Sequence, residues 1–183
     1  MIAGLRGFAD RLLGRGDATI TVPSFDGALK PNQILEKAET LAQFDAPEDL
    51  ASDGKLLYVA DGAAIRRVEG TAVTEVRRFD RAITALCCLP DGGIAVALDG
   101  REVQVFAQPS ASTPSATFSD PSMNAINALA PGPQGTLIAA DGSSARPYGQ
   151  WVHDLMERGR SGRARVLDIA SGRARAQDRK SVV

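Results

Sequence analysis

Residues 83–100 read ITALCCLPDGGIAVALDG, and this stretch determines the fold. It holds two short apolar runs, a Pro-Asp-Gly-Gly turn between them, and an Asp-Gly pair at its end. Short apolar runs bounded by such turn residues are typical of antiparallel β-strands. The Asp-Gly pair is expected to supply the positive φ angle that a tight hairpin requires. The stretch therefore predicts two paired strands that continue into a second hairpin.

The same pattern occurs three times along the chain. The glycines of the first turn are 38 and then 43 residues apart, and the Asp-Gly pairs are 38 and then 42 residues apart. A period of about 40 residues that contains several short strands is typical of a β-propeller blade. Outer strands are expected at 73–79 in the first repeat and at 116–118 in the second. The turn glycines are Gly54, Gly92 and Gly135, and the Asp-Gly pairs end at Gly62, Gly100 and Gly142.

An insertion separates the third Asp-Gly pair from a strand expected at 164–169. Four apolar residues recur within it at helical spacing, which predicts a short amphipathic helix at 150–158. Simple packing of this helix on its own repeat is one interpretation. Because propeller loops at one end gather around the axis, the other interpretation is that Trp151 and His153 roof a central cavity. The four apolar residues are Trp151, Val152, Leu155 and Met156.

The repeats occupy residues 46–177 and make about three blades, whereas a propeller ring needs at least four. We therefore expect an all-β chain that is an incomplete propeller of marginal stability. Residues 1–45 are expected to supply a short amphipathic helix at 1–14 and a lead-in strand at 18–22. Residues 178–183 back-translate into a common sequencing-adapter sequence, so we expect them to be an artefact and the chain to be truncated.

Charge and hydropathy exclude several function classes. The 21 basic and 22 acidic side chains nearly cancel, which argues against a polyanion such as nucleic acid as the partner. No apolar run approaches the length of a membrane span. Arginines are concentrated near the C-terminus without interleaved aromatic residues, so they predict a solvated sheet edge and not a nucleic-acid surface. These arginines are Arg158, Arg160, Arg163, Arg165, Arg173 and Arg175.

Cys87 and Cys88 are the two cysteines of the chain. Successive strand residues point to opposite faces of a sheet, so this pair cannot join distant segments. We expect two reduced thiols in a cytoplasmic protein, with a vicinal redox pair as the alternative.

Two groups of short motifs carry a family resemblance over about residues 46–175. They resemble the N-terminal half of the strictosidine-synthase-like branch of the gluconolactonase (senescence-marker) β-propeller superfamily. The chain departs from that pattern at Ala46 and Ala128, where the family has glycine. The first group is PEDL at 47–50, LYV at 57–59 and DG at 61–62. The second group is NAL at 127–129, DGSS at 141–144, SGR at 161–163 and VLD at 166–168.

The resemblance implies a six-bladed propeller with its active site in the axial channel. Many gluconolactonase-like members hold a divalent cation there, often Ca²⁺. Matched by motif, Glu48 resembles the carboxylate ligand of the first blade, and Asn127 resembles the asparagine ligand. Carboxylate and amide oxygens are ligands that a hard cation prefers. Two such oxygens leave the other positions to water or to further blades, and the resemblance assigns no catalytic residue in this chain.

The function implied for the complete protein is divalent-cation-dependent hydrolysis of a lactone or small ester, with a small molecule as the substrate. The truncated chain is expected to be inactive. One alternative is a strictosidine-synthase-type condensing enzyme, which needs a glutamate from a late blade that this chain does not contain. The other alternative is a non-catalytic propeller that serves as a binding scaffold.

Overall fold

The computed structural model describes residues 35–157 and 159–177. The chain divides into two compact units, residues 1–39 and 40–183. The described part of the first unit contains a one-turn 3₁₀ helix at Leu35–Lys37. The helix expected at 1–14, the strand expected at 18–22 and the artefact expected at 178–183 lie outside the described residues.

The second unit contains three four-stranded antiparallel sheets, one for each sequence repeat. In each sheet the strands lie side by side in chain order. Sheet 1 consists of β1 (Pro47–Ser52), β2 (Leu57–Asp61), β3 (Ala64–Glu69) and β4 (Ala72–Arg78). Sheet 2 consists of β5 (Ile83–Cys88), β6 (Ile94–Leu98), β7 (Glu102–Phe106) and β8 (Ala116–Ser119). Sheet 3 consists of β9 (Ile126–Pro131), β10 (Thr136–Asp141), β11 (Arg163–Asp168) and β12 (Arg173–Gln177).

The three sheets confirm the mostly β fold and its division into three repeats. The outer strands expected at 73–79 and 116–118 are β4 and β8, each with slightly different bounds. Strand β12 was not predicted, because its sequence, RARAQ, alternates arginine with alanine and has no large apolar residue.

The Asp-Gly pairs differ in conformation. Gly62 and Gly100 have φ angles of 59° and 67°, which confirms the expectation of left-handed turn residues. Gly142 does not have a positive φ, so the same expectation was wrong for the third pair. The reason is that Gly142 leads into the insertion between β10 and β11 and no tight hairpin forms there.

The hydrophobic core forms two layers, one on each face of sheet 2. Strand β6 shows this best, because its residues alternate between the layers. Ile94, Val96 and Leu98 pack with residues of sheet 1 such as Ile65. Ala95 and Ala97 pack with residues of sheet 3 such as Leu137. All five residues of β6 are buried, so sheet 2 is covered on both faces.

The two cysteines follow the same alternation, as predicted. Cys87 is buried in the layer toward sheet 3, whereas Cys88 is half-buried against the layer toward sheet 1. Both are free thiols. Burial raises the pKa of Cys87 to about 12 and also raises the pKa of Cys88, so both thiols are protonated near neutral pH.

The first strands of the three sheets lie next to one another, with β5 between β1 and β9. The Asp49 side chain joins β1 to β5, because its Oδ2 accepts the Leu86 backbone N–H at 2.8 Å. Backbone bonds join the first two Asp-Gly turns to the next sheet. The Ile83 N–H donates to the Gly62 carbonyl at 2.9 Å, and the Ile126 N–H donates to the Gly100 carbonyl at 2.9 Å.

The insertion contains helix α1 (Trp151–Met156), preceded by a one-turn 3₁₀ helix at Tyr148–Gln150. The sequence predicted a helix at 150–158, whose last residue lies outside the described part. The interpretation that Met156 packs on the sheets was wrong, because Met156 is 77% exposed and Leu155 is 66% exposed. In the described residues, no helix has the length and apolar character needed to cross a membrane.

Arg165 corrects the expectation that the C-terminal arginines form a solvated edge. It is buried in β11, and its guanidinium pairs with Asp141 at 2.8 Å. The other arginines of that group with described side-chain burial, such as Arg163 and Arg173, are exposed. The basic character of this region is therefore partly neutralised inside sheet 3.

Candidate functional site

Glu48 is the extra residue of a β-bulge at the start of β1. In the pairing of β1 with β2, Pro47 lies opposite Asp61 and Asp49 lies opposite Ala60, which leaves Glu48 without a partner residue. A bulge bends its strand locally and re-aims the side chain of the extra residue. The bulge therefore sets the direction of the Glu48 carboxylate.

Asn127 occupies the equivalent bulge in sheet 3. Ile126 lies opposite Asp141 and Ala128 lies opposite Ala140, so Asn127 is the extra residue. The two residues singled out as metal ligands thus share one position in the first strands of sheets 1 and 3. The repeat spacing alone did not predict a bulge.

Sheet 2 has Thr84 at this position, between Ile83 and Ala85. The Thr84 hydroxyl is buried, donates to the Ile126 carbonyl at 2.8 Å and accepts the Gly100 N–H at 3.1 Å. Because both hydrogen bonds go to backbone, the Thr84 side chain fixes sheet 2 to sheet 3. The middle bulge is therefore structural, and the outer two carry the carboxylate and the amide.

A cleft of about 520 Å³ opens beside Glu48. Its floor is made by the first strands and Asp-Gly turns of sheets 1 and 2, and one wall comes from Pro147–Gly149 of the insertion. The polar side chains that line it are Glu48, Thr84, Asp99, Arg101 and Tyr148. A cleft with this lining suits a small polar ligand.

Tyr148 closes one side of this cleft. Its hydroxyl donates a hydrogen bond to Oε1 of Glu48, 100 residues earlier in the chain. Burial raises the pKa of the Tyr148 hydroxyl, and the Glu48 carboxylate raises it further, so the tyrosine is a neutral donor at physiological pH. Sequence reasoning did not single out Tyr148, because no periodicity connects it with Glu48.

The base of the insertion is held by serines. Ser144 Oγ donates to the Ser161 carbonyl at 2.9 Å, and the Ser143 and Ser161 hydroxyls are 3.0 Å apart. Ser161 Oγ donates to Asp154 Oδ2 at 2.6 Å, and this bond holds the pKa of the Asp154 carboxyl below its usual value. The two ends of the insertion are thereby fastened together at the edge of sheet 3.

Trp151 lies near Asn127 and not over the cleft beside Glu48. Both side chains approach Gly142, where a Cβ atom would lie 3.0 Å from Asn127 Nδ2 and 3.4 Å from Trp151 Cε3. His153 is exposed, and neither it nor Trp151 lines the described cleft. The residues that wall this cleft from the insertion are Pro147–Gly149, so the two residues predicted for a roof do not cover it.

The oxygen atoms at the two bulges are of the type that a hard divalent cation prefers, but there are few of them. Glu48 offers carboxylate oxygens and Asn127 an amide oxygen, whereas Ca²⁺ takes six to eight oxygen ligands. Within the described ranges, no group of three or more His, Cys, Asp or Glu residues gathers at one point. Any cation held here would therefore keep several water ligands or receive donors from elsewhere.

Comparisons with known proteins concern the fold alone. No family model matches the chain. No curated protein matches it either. A computationally designed protein, Ika4, is similar over 77% of this chain and 80% of its own, with a TM-score of 0.51 and 18% identity. The structure of U3-55K is similar over 70% of this chain and 36% of its own, with a TM-score of 0.50 and 18% identity.

Proposed function

We propose that the three sheets are successive blades of a β-propeller related to the strictosidine-synthase-like and gluconolactonase superfamily. The two core layers support this, because propeller blades pack face to face around an axis. The adjacent first strands support it too, since they would line the axial channel. The short motifs at 47–62 and 127–168 are the basis for the family, and the fold similarity is compatible with them.

For the complete protein we propose divalent-cation-dependent hydrolysis of a lactone or small ester. The observation that carries this proposal is the shared bulge position of Glu48 and Asn127 on β1 and β9. In a propeller, equivalent positions on the first strands of successive blades approach the axis at the same height. Glu48 and Asn127, on the two sheets that flank sheet 2, would then face one ion. A bound cation would polarise the substrate carbonyl and stabilise the negative charge that develops on its oxygen.

The residues of this chain would bind and orient the substrate. Glu48 and Asn127 supply the oxygen donors, and Thr84 keeps β5 and β9 at a fixed spacing through its bond to Ile126. Arg101 lines the cleft and forms no ion pair with any residue that the structure describes, so it favours a ligand with negative charge. Tyr148 donates a hydrogen bond to Glu48 and would hold its carboxylate in place.

A binding scaffold is the second candidate, and one observation favours it. Val152, Leu155 and Met156 present an exposed apolar surface on helix α1, with exposed fractions of 43%, 66% and 77%. Exposed apolar side chains of this size on one short helix are more typical of a contact surface than of a free one. Such a surface would serve recognition without any chemistry at Glu48.

The test compares cation binding and hydrolysis in the same preparations of the complete protein. Ca²⁺ affinity is measured by calorimetry, and a panel of lactones and small esters is assayed with and without a chelator. Glu48→Gln preserves size and removes the charge, so we expect Ca²⁺ affinity to fall by about tenfold or more. Any hydrolysis should fall in parallel.

Glu69→Gln is the matched control for this substitution. Glu69 lies in the same sheet at the far end of β3, five residues from Ala64 and thus about 16 Å along the strand from the cleft end. Its substitution should change neither measurement. Hydrolysis that survives both cation removal and Glu48→Gln would refute the mechanism, and Ca²⁺ binding without hydrolysis of any ester would favour the scaffold.

A further inference from the structure

The face of sheet 3 that points away from sheet 2 is apolar and largely exposed. In β10 the residues that pack toward sheet 2 alternate with Ile138 and Ala140, which therefore point the other way. Their strand partners in β9 and β11 share this face, because directly opposed residues of antiparallel strands lie on one side of a sheet. Ile138 is 39% exposed. The open face of sheet 3 consists of Ala128, Ala130, Ile138, Ala140, Ala164 and Val166.

This open face repeats the face of sheet 2 on which sheet 3 packs. Equivalent positions are found by counting from the bulge residues, Thr84 in sheet 2 and Asn127 in sheet 3. In sheet 2 all six equivalents are at most 6% exposed, and all belong to the core layer between sheets 2 and 3. The open face of sheet 3 thus has the pattern of a packing surface. The six equivalents are Ala85, Cys87, Ala95, Ala97, Val103 and Val105.

The face of sheet 1 that points away from sheet 2 carries larger side chains. The residues of β2 that pack toward sheet 2 alternate with Leu57 and Val59, which point the other way. Their strand partners Leu50 and Val68, and Val73 opposite Val68, complete the open face of sheet 1. Leu50 and Val73 are 64% and 41% exposed, and Val59 and Val68 on the central strands are 6% and 4% exposed.

The open face of sheet 1 corresponds to the faces with which sheets 2 and 3 each pack on the sheet before them. In both core layers these faces supply large side chains, and the preceding sheet supplies smaller ones such as Ala60 and Ala97. The two open faces are therefore the two halves of a contact that the chain already makes twice. Leu50 corresponds to Leu86 and Leu129, Leu57 to Ile94 and Leu137, and Val68 to Phe106 and Leu167.

We propose that a second copy of this chain packs its sheet 1 on the open face of sheet 3, and that two copies do so reciprocally in a closed pair. A contact between different faces of two copies gives a ring when it closes and an open chain when it does not. Three sheets from each copy make six, and β-propellers contain about four to eight blades. Closure rests on the proposed blade arrangement. The contact itself rests on the two core layers and is independent of the proposed hydrolysis.

The area of the contact favours a closed pair over a single contact. A face of four strands of about five residues covers roughly 300 Å², so one contact buries roughly 600 Å² on the two partners together. Stable interfaces bury about 1,200–2,000 Å² in total. A closed pair makes the contact twice and reaches this range, whereas one contact alone does not.

The first experiment measures self-association of the full chain by sedimentation. The unaltered chain should form a dimer. Leu50→Lys and Ile138→Lys each place a charge on one open face, and each should weaken the dimer about a hundredfold, because the contact occurs twice and loses about tenfold each time. Thr117→Lys is the matched control, since Thr117 is exposed in β8 of sheet 2, and it should leave the dimer unchanged.

The second experiment tests which faces meet. In the layer between sheets 1 and 2, the Leu86 N–H contacts Asp49, and the equivalent residues across the proposed contact are Leu50 and Ala128. Chains with Leu50→Cys should therefore form a disulfide with chains that carry Ala128→Cys under mild oxidation. Neither variant should cross-link with itself.

Four outcomes decide between the possibilities. A dimer that both lysine variants weaken, with the mixed disulfide, supports the closed pair. A monomer whose β6 amides stay protected from exchange would overturn the contact and leave the blade arrangement intact. A series of larger oligomers would overturn the closed pair together with the blade arrangement on which closure rests. Self-cross-linking of Ala128→Cys would show sheet 3 on sheet 3 and overturn the proposed pairing of faces.

Discussion

Asp141 and Arg165 form an ion pair inside sheet 3, with Arg165 Nη2 2.8 Å from Asp141 Oδ2 and side chains that are 0% and 3% exposed. Asp61 and Arg66 hold the same positions in sheet 1. In both sheets the arginine lies opposite the residue two places before the aspartate. In both, the other aspartate oxygen accepts a backbone N–H from just before the first strand, that of Ala125 or Ala46.

Asp141→Ala should therefore destabilise the chain strongly. It leaves the Arg165 guanidinium buried without its counter-charge, and breaking a buried pair in this way costs about 3–5 kcal/mol. Asp61→Ala is the matched comparison, because Arg66 is 26% exposed and also pairs with Glu75. Its cost should be about 1–2 kcal/mol. Urea denaturation of both variants measures the difference, and equal losses would contradict the role of burial.

Gly100→Ala should be much more costly than Gly54→Ala. Both glycines have a positive φ angle, 67° and 88°, so each substitution carries the strain of a left-handed residue, about 1–2 kcal/mol. At Gly100 the new Cβ would also lie 3.0 Å from Tyr148 Cβ and 3.1 Å from Ala125 Cα, whereas at Gly54 nothing lies within 4 Å. We expect losses of about 3–4 and 1–2 kcal/mol, respectively. Thermal denaturation provides the comparison, and similar midpoints would argue against close packing of the insertion at Gly100.

Cys87 should make stability fall as the pH rises from about 9 to about 12. In the unfolded chain the thiol ionises near pH 9, whereas burial keeps it protonated in the folded chain up to about pH 12. The folded state therefore holds one more proton in this window, and its stability decreases by up to about 1.4 kcal/mol per pH unit. Cys87→Ala should remove most of this slope. Denaturant midpoints measured across the window test this, and an unchanged slope in the variant would show that other groups cause it.

Ser161→Ala should loosen the insertion without unfolding the sheets. It removes the bond to Asp154 and the contact with Ser143, so exchange of amides at 142–157 should accelerate several-fold while β6 stays protected. The lowered pKa of Asp154 means that the stabilising bond is present above pH 3.8 and is lost as the pH falls further below it. Substitution of Ser119, exposed in β8, is the control. Equal exchange in the two variants would show that the serine network does not hold the insertion.

The Asp-Gly pairs show how far the sequence predicts this structure. Their spacing predicted three repeats correctly, because turn chemistry is local and depends on glycine at a positive φ angle. Their aspartates were interpreted as turn residues, which describes Asp99, whose φ is 50°. Asp61 and Asp141 instead end strands, and their carboxylates make ion pairs with Arg66 and Arg165. Of these two arginines, Arg165 was expected at a solvated edge.

The candidate site was less predictable than the fold. Family resemblance proposed Glu48 and Asn127, and the structure gives both the same bulge position, which no single-sequence pattern marks. Tyr148 was missed because its contact with Glu48 spans 100 residues and depends on how the sheets stack. A signal was present in the insertion, where Pro147 and Gly149 flank a tyrosine. Such a pattern predicts a turn, but it does not predict which distant residue the tyrosine contacts.

The backbone bonds from the first two Asp-Gly turns to the next sheet restrict where these repeats can change in length. Gly62 and Gly100 each use their carbonyl to anchor the first strand that follows, so a residue added to either hairpin would move the strand of the neighbouring repeat as well. An insertion at either of these two hairpins, in evolution or by engineering, would thus disturb two repeats at once.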